Sequence, residues 1–460
     1  MNVVEKREHW GSRFGFILAA SGSAVGLGNI WKYPHMAGSN GGAAFTMIYL
    51  LCIAVVGLPI LIGEFVIGRK TQLSPVGAFE KLAQKSWWKY VGFLGVASAF
   101  VILSFYSVVG GWTLRYTFLA LTTGFESFAG NPDIASDAFN SFVSNAWNPI
   151  FWHLIFMGLC IWIIVNGVKG GIERWSKVMM PMILVLLVIL MVRGITLPGG
   201  MEGVKFLFLP KFSDLTASSV VLALGHAFFT LSLGMGTMIT YGSYLGKDQN
   251  LVTSGILILV IDTIIALMAG VVIFTTVFAL GADPGEGPGL IFTILPTIFP
   301  QMPGGHLWGT LFFFLLFLAA LTSAISILEV VTAYFIDQKG WSRSRATYVF
   351  GSIIGIVGVF CSLSLGGFTD FSTVFNISFF NFLDYASSKY MLPIGGMLTA
   401  IFVLYRWGIP KFLEEIREGQ KGKGLPDIVV KVLFSIAIVV VFFIIANEIV
   451  EVFTGSPLIG

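Results

Sequence analysis

Two strongly apolar stretches, far apart in the chain, each carry a glycine doublet of the same shape: Gly26–Leu27–Gly28 and Gly234–Met235–Gly236. A membrane-crossing helix gains nothing from glycine at its centre. Each one costs on the order of 1 kcal/mol of helix stability against alanine, and unwound backbone in hydrocarbon leaves its polar groups unpaired. Such breaks are tolerable where the freed amides and carbonyls line a protected cavity and hold something there. Corresponding breaks in two halves of a membrane protein point to a central binding site of the transporter kind. Close packing of small residues, the plainer reading of membrane glycines, suits one small-residue face but explains a matched pair of breaks poorly.

Composition agrees with a membrane solvent. Hydrophobic residues make up 56% of the 460 and charged residues 11%, against about 45–50% and about 25% in soluble domains; mean hydropathy is +0.87. Cys52, Cys160 and Cys361 lie far apart in or beside apolar segments, which reads as free buried thiols rather than a disulfide or metal framework. Lys6, Arg7 and Arg13 stand among polar residues, without the short apolar run and cleavage site of a signal peptide. The net charge of +3 is a matter of membrane orientation, and no basic patch argues for nucleic acid. No Gly-x-Ser-x-Gly, HExxH or paired-aspartate signature argues for an enzyme.

Eleven apolar runs are long enough to cross a bilayer: 13–36, 42–68, 89–122, 149–166, 174–194, 217–245, 251–280, 307–336, 345–364, 372–405 and 427–453. With the N-terminus cytoplasmic, the inside segments hold 21 of the 27 Lys and Arg, whereas 116–168 and 248–338 hold none. The positive-inside rule selects that orientation and places the C-terminus outside. Residues 123–148 carry turn chemistry. Residues 281–306, rich in Pro and Gly around LIFTILPTIF, read as a re-entrant or capping hairpin.

In the first run, SGSAVGLGNIWKYP spans Ser21 to Pro34. The second half-helix starts near Leu27, so its free N–H groups face the gap and suit a carboxylate. Carbonyls ending the first half, near Gly22 and Ala24, suit a cation. The sixth run repeats the pattern in FFTLSLGMGT, where Thr230 and Ser232 add hydroxyls. One gap can therefore hold both ends of a zwitterion together with alkali ions.

These residues carry a resemblance. REHWGSRFGFILAASGSAVGLGNIWKYP, FFTLSLGMGTMITYGSYL and LAALTSAISILE resemble the first, sixth and eighth helices of the neurotransmitter:sodium symporters, above all bacterial members of the LeuT type and the multi-hydrophobic amino-acid transporters. The resemblance covers nearly the whole chain. It implies an all-α polytopic membrane protein with the LeuT fold: 11 transmembrane helices and a 5+5 inverted repeat with broken helices 1 and 6. The chain would be one domain over 1–460, with repeats over 13–194 and 217–405 and a peripheral helix over 427–453.

The resemblance also implies ligands. A first sodium would take the Ala24 carbonyl, Asn29, Thr230, Asp262 and the substrate carboxylate; a second would take carbonyls of Gly22, Val25 and Ala319 with hydroxyls of Thr322 and Ser323. Oxygen donors without an acidic cluster fit a monovalent ion better than calcium. Relatives mostly carry Asn where Asp262 stands. An unpaired acid in LILVIDTIIAL is costly and functional by default. Ala266 occupies the position of a chloride-substituting glutamate, so Asp262 is expected to serve both as sodium ligand and as fixed negative charge.

The substrate carboxylate would meet the amides of Leu27 and Gly28 and the Tyr106 hydroxyl. The amine would meet carbonyls of Ala24, Phe229 and Thr230 and the Ser232 side chain. Ile102, Tyr106, Phe229, Met235, Ser323 and Ile327 would surround the side chain. Gly26 stands where monoamine relatives carry Asp, and Met235 is an adaptable wall. Lys32 with Asp384 resembles the outer gate pair, and Arg7 and Trp10 with Asp337 and Tyr244 the inner one. Gly170–Gly171 with Pro181 could unwind the fifth run or merely start it. The reading is thus a sodium-coupled importer of hydrophobic L-amino acids, multi-pass in the cell membrane, using two Na+ and no covalent cofactor. The alternative is a transporter-like receptor or channel, although no charged ring or repeated filter is present.

Overall fold

The computed structural model of the chain describes residues 7–279, 281, 291–366, 373–374, 377–419 and 426–454. Among them nine helices are long and apolar enough to cross a membrane: Ala43–Thr71, Lys89–Thr122, Asn148–Val165, Val168–Ile195, Leu251–Ala279, Gly305–Lys339, Arg343–Leu363, Phe379–Arg417 and Asp427–Glu451. Arg13–Ala24 and Gly28–Ser39 meet at 48° and form one bent crossing. The remaining apolar run is split into Ala217–Thr230 and Thr237–Gly242. All eleven runs are therefore helical and are called the first to eleventh spans in chain order. Strand among the described residues amounts to Thr373–Val374 paired with Ile377–Ser378. The protein is an all-α polytopic membrane protein.

Burial orders the spans around a centre. In the most apolar window of the eighth span 83% of residues are buried, and 72% in the third, against 33% in the eleventh; the eleventh lies at the periphery. Glycines let the third span approach the fourth closely, as in membrane helix pairs generally. A Cβ on Gly111 would lie 2.6 Å from the His153 amide nitrogen. Cys52, Cys160 and Cys361 are free and buried.

Several boundaries differ from the sequence reading. The fifth span starts at Val168 rather than 174, because a wide π-type turn over Val168–Glu173 runs without a break into Arg174–Ile195. Gly167, at φ +84°, supplies the entry turn; Gly170 and Gly171 stay inside the turn and Pro181 inside the helix. The tenth span starts at Phe379, where the Ser378 side chain accepts the Asn381 amide, and reaches Arg417 by adding the amphipathic helix Ile409–Arg417. Short helices absent from the run-length argument occupy Pro75–Leu82, Pro132–Ser144 and Gly200–Phe208. The first two open on proline, whose missing N–H costs nothing there. The expected hairpin at 281–306 lies partly outside the described residues; within them Leu295–Ile298 forms one buried turn.

Candidate substrate and sodium sites

Both glycine doublets lie at interruptions of a span. In the first, Val25 leaves the helix for extended backbone (φ −74°, ψ 102°), and the Gly26 amide is satisfied by Asn29 Oδ1 at 3.2 Å. In the sixth, the chain is non-helical from Leu231 to Gly236. Ser232 (φ +53°), Gly234 (φ +78°) and Gly236 (φ +76°) all adopt left-handed backbone. Glycine takes that geometry freely; Ser232 does so under strain, with its hydroxyl donating to the Ser23 carbonyl at 2.9 Å. At Gly234 a Cβ would run into the Leu392 carbonyl.

A small cavity lies between the two interruptions, lined by Ser23, Ala24, Gly26, Gly28, Ile102, Tyr106, Phe229, Thr230, Ser232, Met235, Ser323 and Ile327. None of these residues carries a charge. Ten of the eleven expected substrate residues line it. Leu27 does not: its amide donates to the Tyr106 hydroxyl oxygen at 3.2 Å, and it borders a second cavity with Trp31, Lys32, Phe105 and Asp384. At Gly26 an added Cβ would crowd the Ser323 hydroxyl and lie 2.9 Å from that of Tyr106.

Two oxygen clusters flank the cavity. In one, Asn29 Nδ2 donates to Asp262 Oδ1 at 2.8 Å, and the Thr230 hydroxyl lies 3.1 Å from both Asn29 Oδ1 and Asp262 Oδ1. All three side chains are buried. In the other, the Thr322 hydroxyl lies 2.9 Å from the Ala319 carbonyl and 3.3 Å from that of Val25. The Ser323 hydroxyl lies 3.4 Å from the Gly22 carbonyl and 3.3 Å from that of Val25. The structure thus gathers every side chain named for the two ion sites into two groups, one on each side of the first span's break.

The residues expected at the two gates lie in two polar networks. At one end Lys32 Nζ lies 3.0 Å from Asp384 Oδ1 and 4.1 Å from the centre of the Phe229 ring, so the ion pair sits directly over a cavity wall. At the other, Arg7 pairs with Asp337 and also donates to Ser243. The Trp10 indole donates to the Tyr241 carbonyl at 3.0 Å. Arg7 lies over the Tyr244 ring, and the Tyr244 hydroxyl donates to Glu329 at 2.5 Å.

Three acids in this machinery escaped the sequence reading. Glu329, fully buried, accepts both Arg343 terminal nitrogens at 2.7 and 3.0 Å, and Arg343 continues to Glu8 at 2.7 Å. Glu64, also fully buried, accepts the Gly234 amide at 2.8 Å, with the Met238 and Ile239 amides beside it. It satisfies N–H groups that a helix start leaves open. The signal was available, since each of Glu64 and Glu329 is an acid inside a long apolar run, the same rule that singled out Asp262.

Broken helices around a central cavity, with clustered oxygens beside it, define the class of polytopic ion-coupled transporters with discontinuous spans. The Sodium:neurotransmitter symporter family model matches residues 7–142 and 144–456. The chain is 42% identical over 417 residues to the sodium-dependent transporter YhdH of Bacillus subtilis (strain 168), covering 90% of this chain and 92% of that one. It is 34% identical to a sodium-dependent transporter of Haemophilus influenzae, over 87% and 89% of the two chains. The crystal structure of MhsT in complex with L-phenylalanine superposes with a TM-score of 0.86 at 44% identity, covering 95% of this chain and all of that one. The chain belongs to the sodium:neurotransmitter symporter family. It is a sodium-dependent membrane symporter of the LeuT fold and not an enzyme.

Proposed function

We propose that the chain imports hydrophobic L-amino acids, aliphatic and aromatic, with two sodium ions by alternating access. The observation that carries this is the uncharged cavity between the two breaks, polar at Gly26, Gly28, Thr230 and Ser232 and apolar at Ile102, Phe229, Met235 and Ile327. A zwitterionic head fits the first set and an apolar side chain the second. A charged side chain would be buried without a partner. The first sodium is assigned to Ala24, Asn29, Thr230 and Asp262, and the second to Gly22, Val25, Ala319, Thr322 and Ser323. MhsT, whose structure holds L-phenylalanine, supports the substrate class.

The positive-inside argument puts the N-terminus in the cytoplasm and the C-terminus outside. Lys32–Asp384 is then the outer gate and the network around Arg7 and Glu329 the inner one; 13–194 and 217–405 are the two repeats. Uptake of labelled leucine and phenylalanine into proteoliposomes, with and without an inward sodium gradient, tests the reading. Gradient-driven accumulation is expected. Equal uptake from potassium or choline buffer would overturn it.

A further inference from the structure

The tenth span changes pitch where the outer gate is mounted. Phe379–Tyr385 is α-helical and Ala386–Met391 takes a wider π-type turn, a feature that concentrates at functional sites. Asp384 stands at the junction. Its Oδ1 receives Lys32 Nζ and, from inside the π turn, the Ser388 hydroxyl, both at 3.0 Å. The next residue in the turn is a second lysine. Lys389 Nζ lies 2.7 Å from Glu448 Oε2, on the eleventh span.

Glu448 is placed for this contact by the helix that bears it. Val430, Phe434, Ala437, Val441, Ile444 and Ile445 are buried on the eleventh span. Their spacing of three and four residues marks one seam. Glu448 continues that seam at its outer end, with a side chain only 7% exposed against 34% for Lys389. A carboxylate in such a place is expensive unless paired. Two lysines therefore serve one π turn, and each has its own carboxylate.

We propose that Glu448 is a positioning residue of the outer gate: by holding Lys389 against the eleventh span, it leaves Asp384 to Lys32. The proposal rests on the reading of Lys32–Asp384 as that gate. Without Glu448 the Lys389 ammonium, on a flexible four-carbon stem, competes for the Asp384 carboxylate and loosens the latch over Phe229. The eleventh span, peripheral in burial, thereby acts on the gate through one ion pair.

The test is a cysteine at Val109, which borders the cavity between Lys32 and Asp384, labelled from outside with a membrane-impermeant thiol reagent in sodium and leucine. The native cysteines are buried. Glu448→Gln should raise the labelling rate on the order of fivefold, the scale on which partly exposed ion pairs act, and the leucine KM should rise with it. Glu448→Gln combined with Lys389→Met should return both to the parent values, because the competitor is gone. Glu448→Asp, with a shorter reach, should move both in the same direction by less and serves if the Gln variant does not accumulate. Unchanged labelling in Glu448→Gln overturns the proposal, as does a rise that persists in the double variant, which marks a packing role only. Lys32→Met separates the two readings. If it leaves labelling unchanged the gate assignment fails; if it raises labelling while Glu448→Gln does not, only the role of Glu448 fails.

Discussion

Asn29 donates to Asp262 Oδ1 at 2.8 Å, while Oδ2 of the same carboxylate is buried without a hydrogen-bond partner among the described residues. A buried carboxylate oxygen left open in this way is a strong acceptor awaiting a cation or a proton. Thr230 shares the other oxygen, so the acid is steered by neutral donors alone. Under the proposed sodium assignment its charge is open to the ion, since no arginine or lysine pairs with it among the described residues.

Asp262→Asn should therefore lose most sodium-driven uptake, or recover it only in chloride buffer, whereas the parent protein should be indifferent to chloride. Uptake in chloride and in gluconate, for both proteins, reads the two outcomes. Parent uptake that stops without chloride would refute the fixed-charge role and leave sodium ligation standing.

Asn29→Ala and Thr322→Ala remove side-chain oxygens from separate clusters, and each should abolish uptake at ordinary sodium concentrations. Both should leave a protein that runs as the parent does on size-exclusion chromatography. Sodium titration of thermal unfolding in detergent is the direct check, with the stabilisation by sodium reduced in each variant.

Met235→Phe should narrow the substrate range, hurting tryptophan and tyrosine more than leucine. An apolar wall discriminates by only about 1–3 kcal/mol per methylene, so in the parent protein aliphatic and aromatic amino acids should compete within a few hundred-fold of one another. Gly26→Asp should lose leucine transport without gaining tryptamine, because the Ser323 and Tyr106 hydroxyls already fill the space its Cβ needs. Competition against labelled leucine measures all of this; tight lysine or tryptamine binding by the parent would show the cavity to be misassigned.

Arg343→Met strips Glu329 of its bidentate partner and leaves a buried carboxylate held by Tyr244 alone. Breaking a buried pair from one side costs about 3–5 kcal/mol. The closed inner end should open, seen as faster thiol labelling of a cysteine introduced at Ser243, with uptake falling. Arg343→Lys should restore only part of the closure, since an ammonium cannot reproduce the fork. Labelling unaffected by Arg343→Met would remove this network from the gate.

The spans were legible because a bilayer demands long apolar runs, and the breaks because glycine doublets inside such runs have few other uses. The oxygen clusters were legible only with the family resemblance, since Thr322 and Ser323 on their own resemble helix hydroxyls that bond their own backbone. Glu64, Glu329 and Arg343 were missed for a different reason. Their partners lie 170, 85 and 14 positions away along the chain, and only the fold shows which of many acids finds which donor. The fifth-span turn shows the opposite limit: Gly170–Gly171 reads equally as a breaker or as a plain helix start, and only the fold shows the helix widening around it and continuing.

The hydrogen bond from the Gly234 amide to Glu64 has a mechanical consequence. The irregular shape of the sixth span is not held by that span's own residues alone; a side chain of the second span is built into it. Any rearrangement that straightens the sixth span must either carry the second along as a single rigid body or first detach a fully buried carboxylate from the amides it caps.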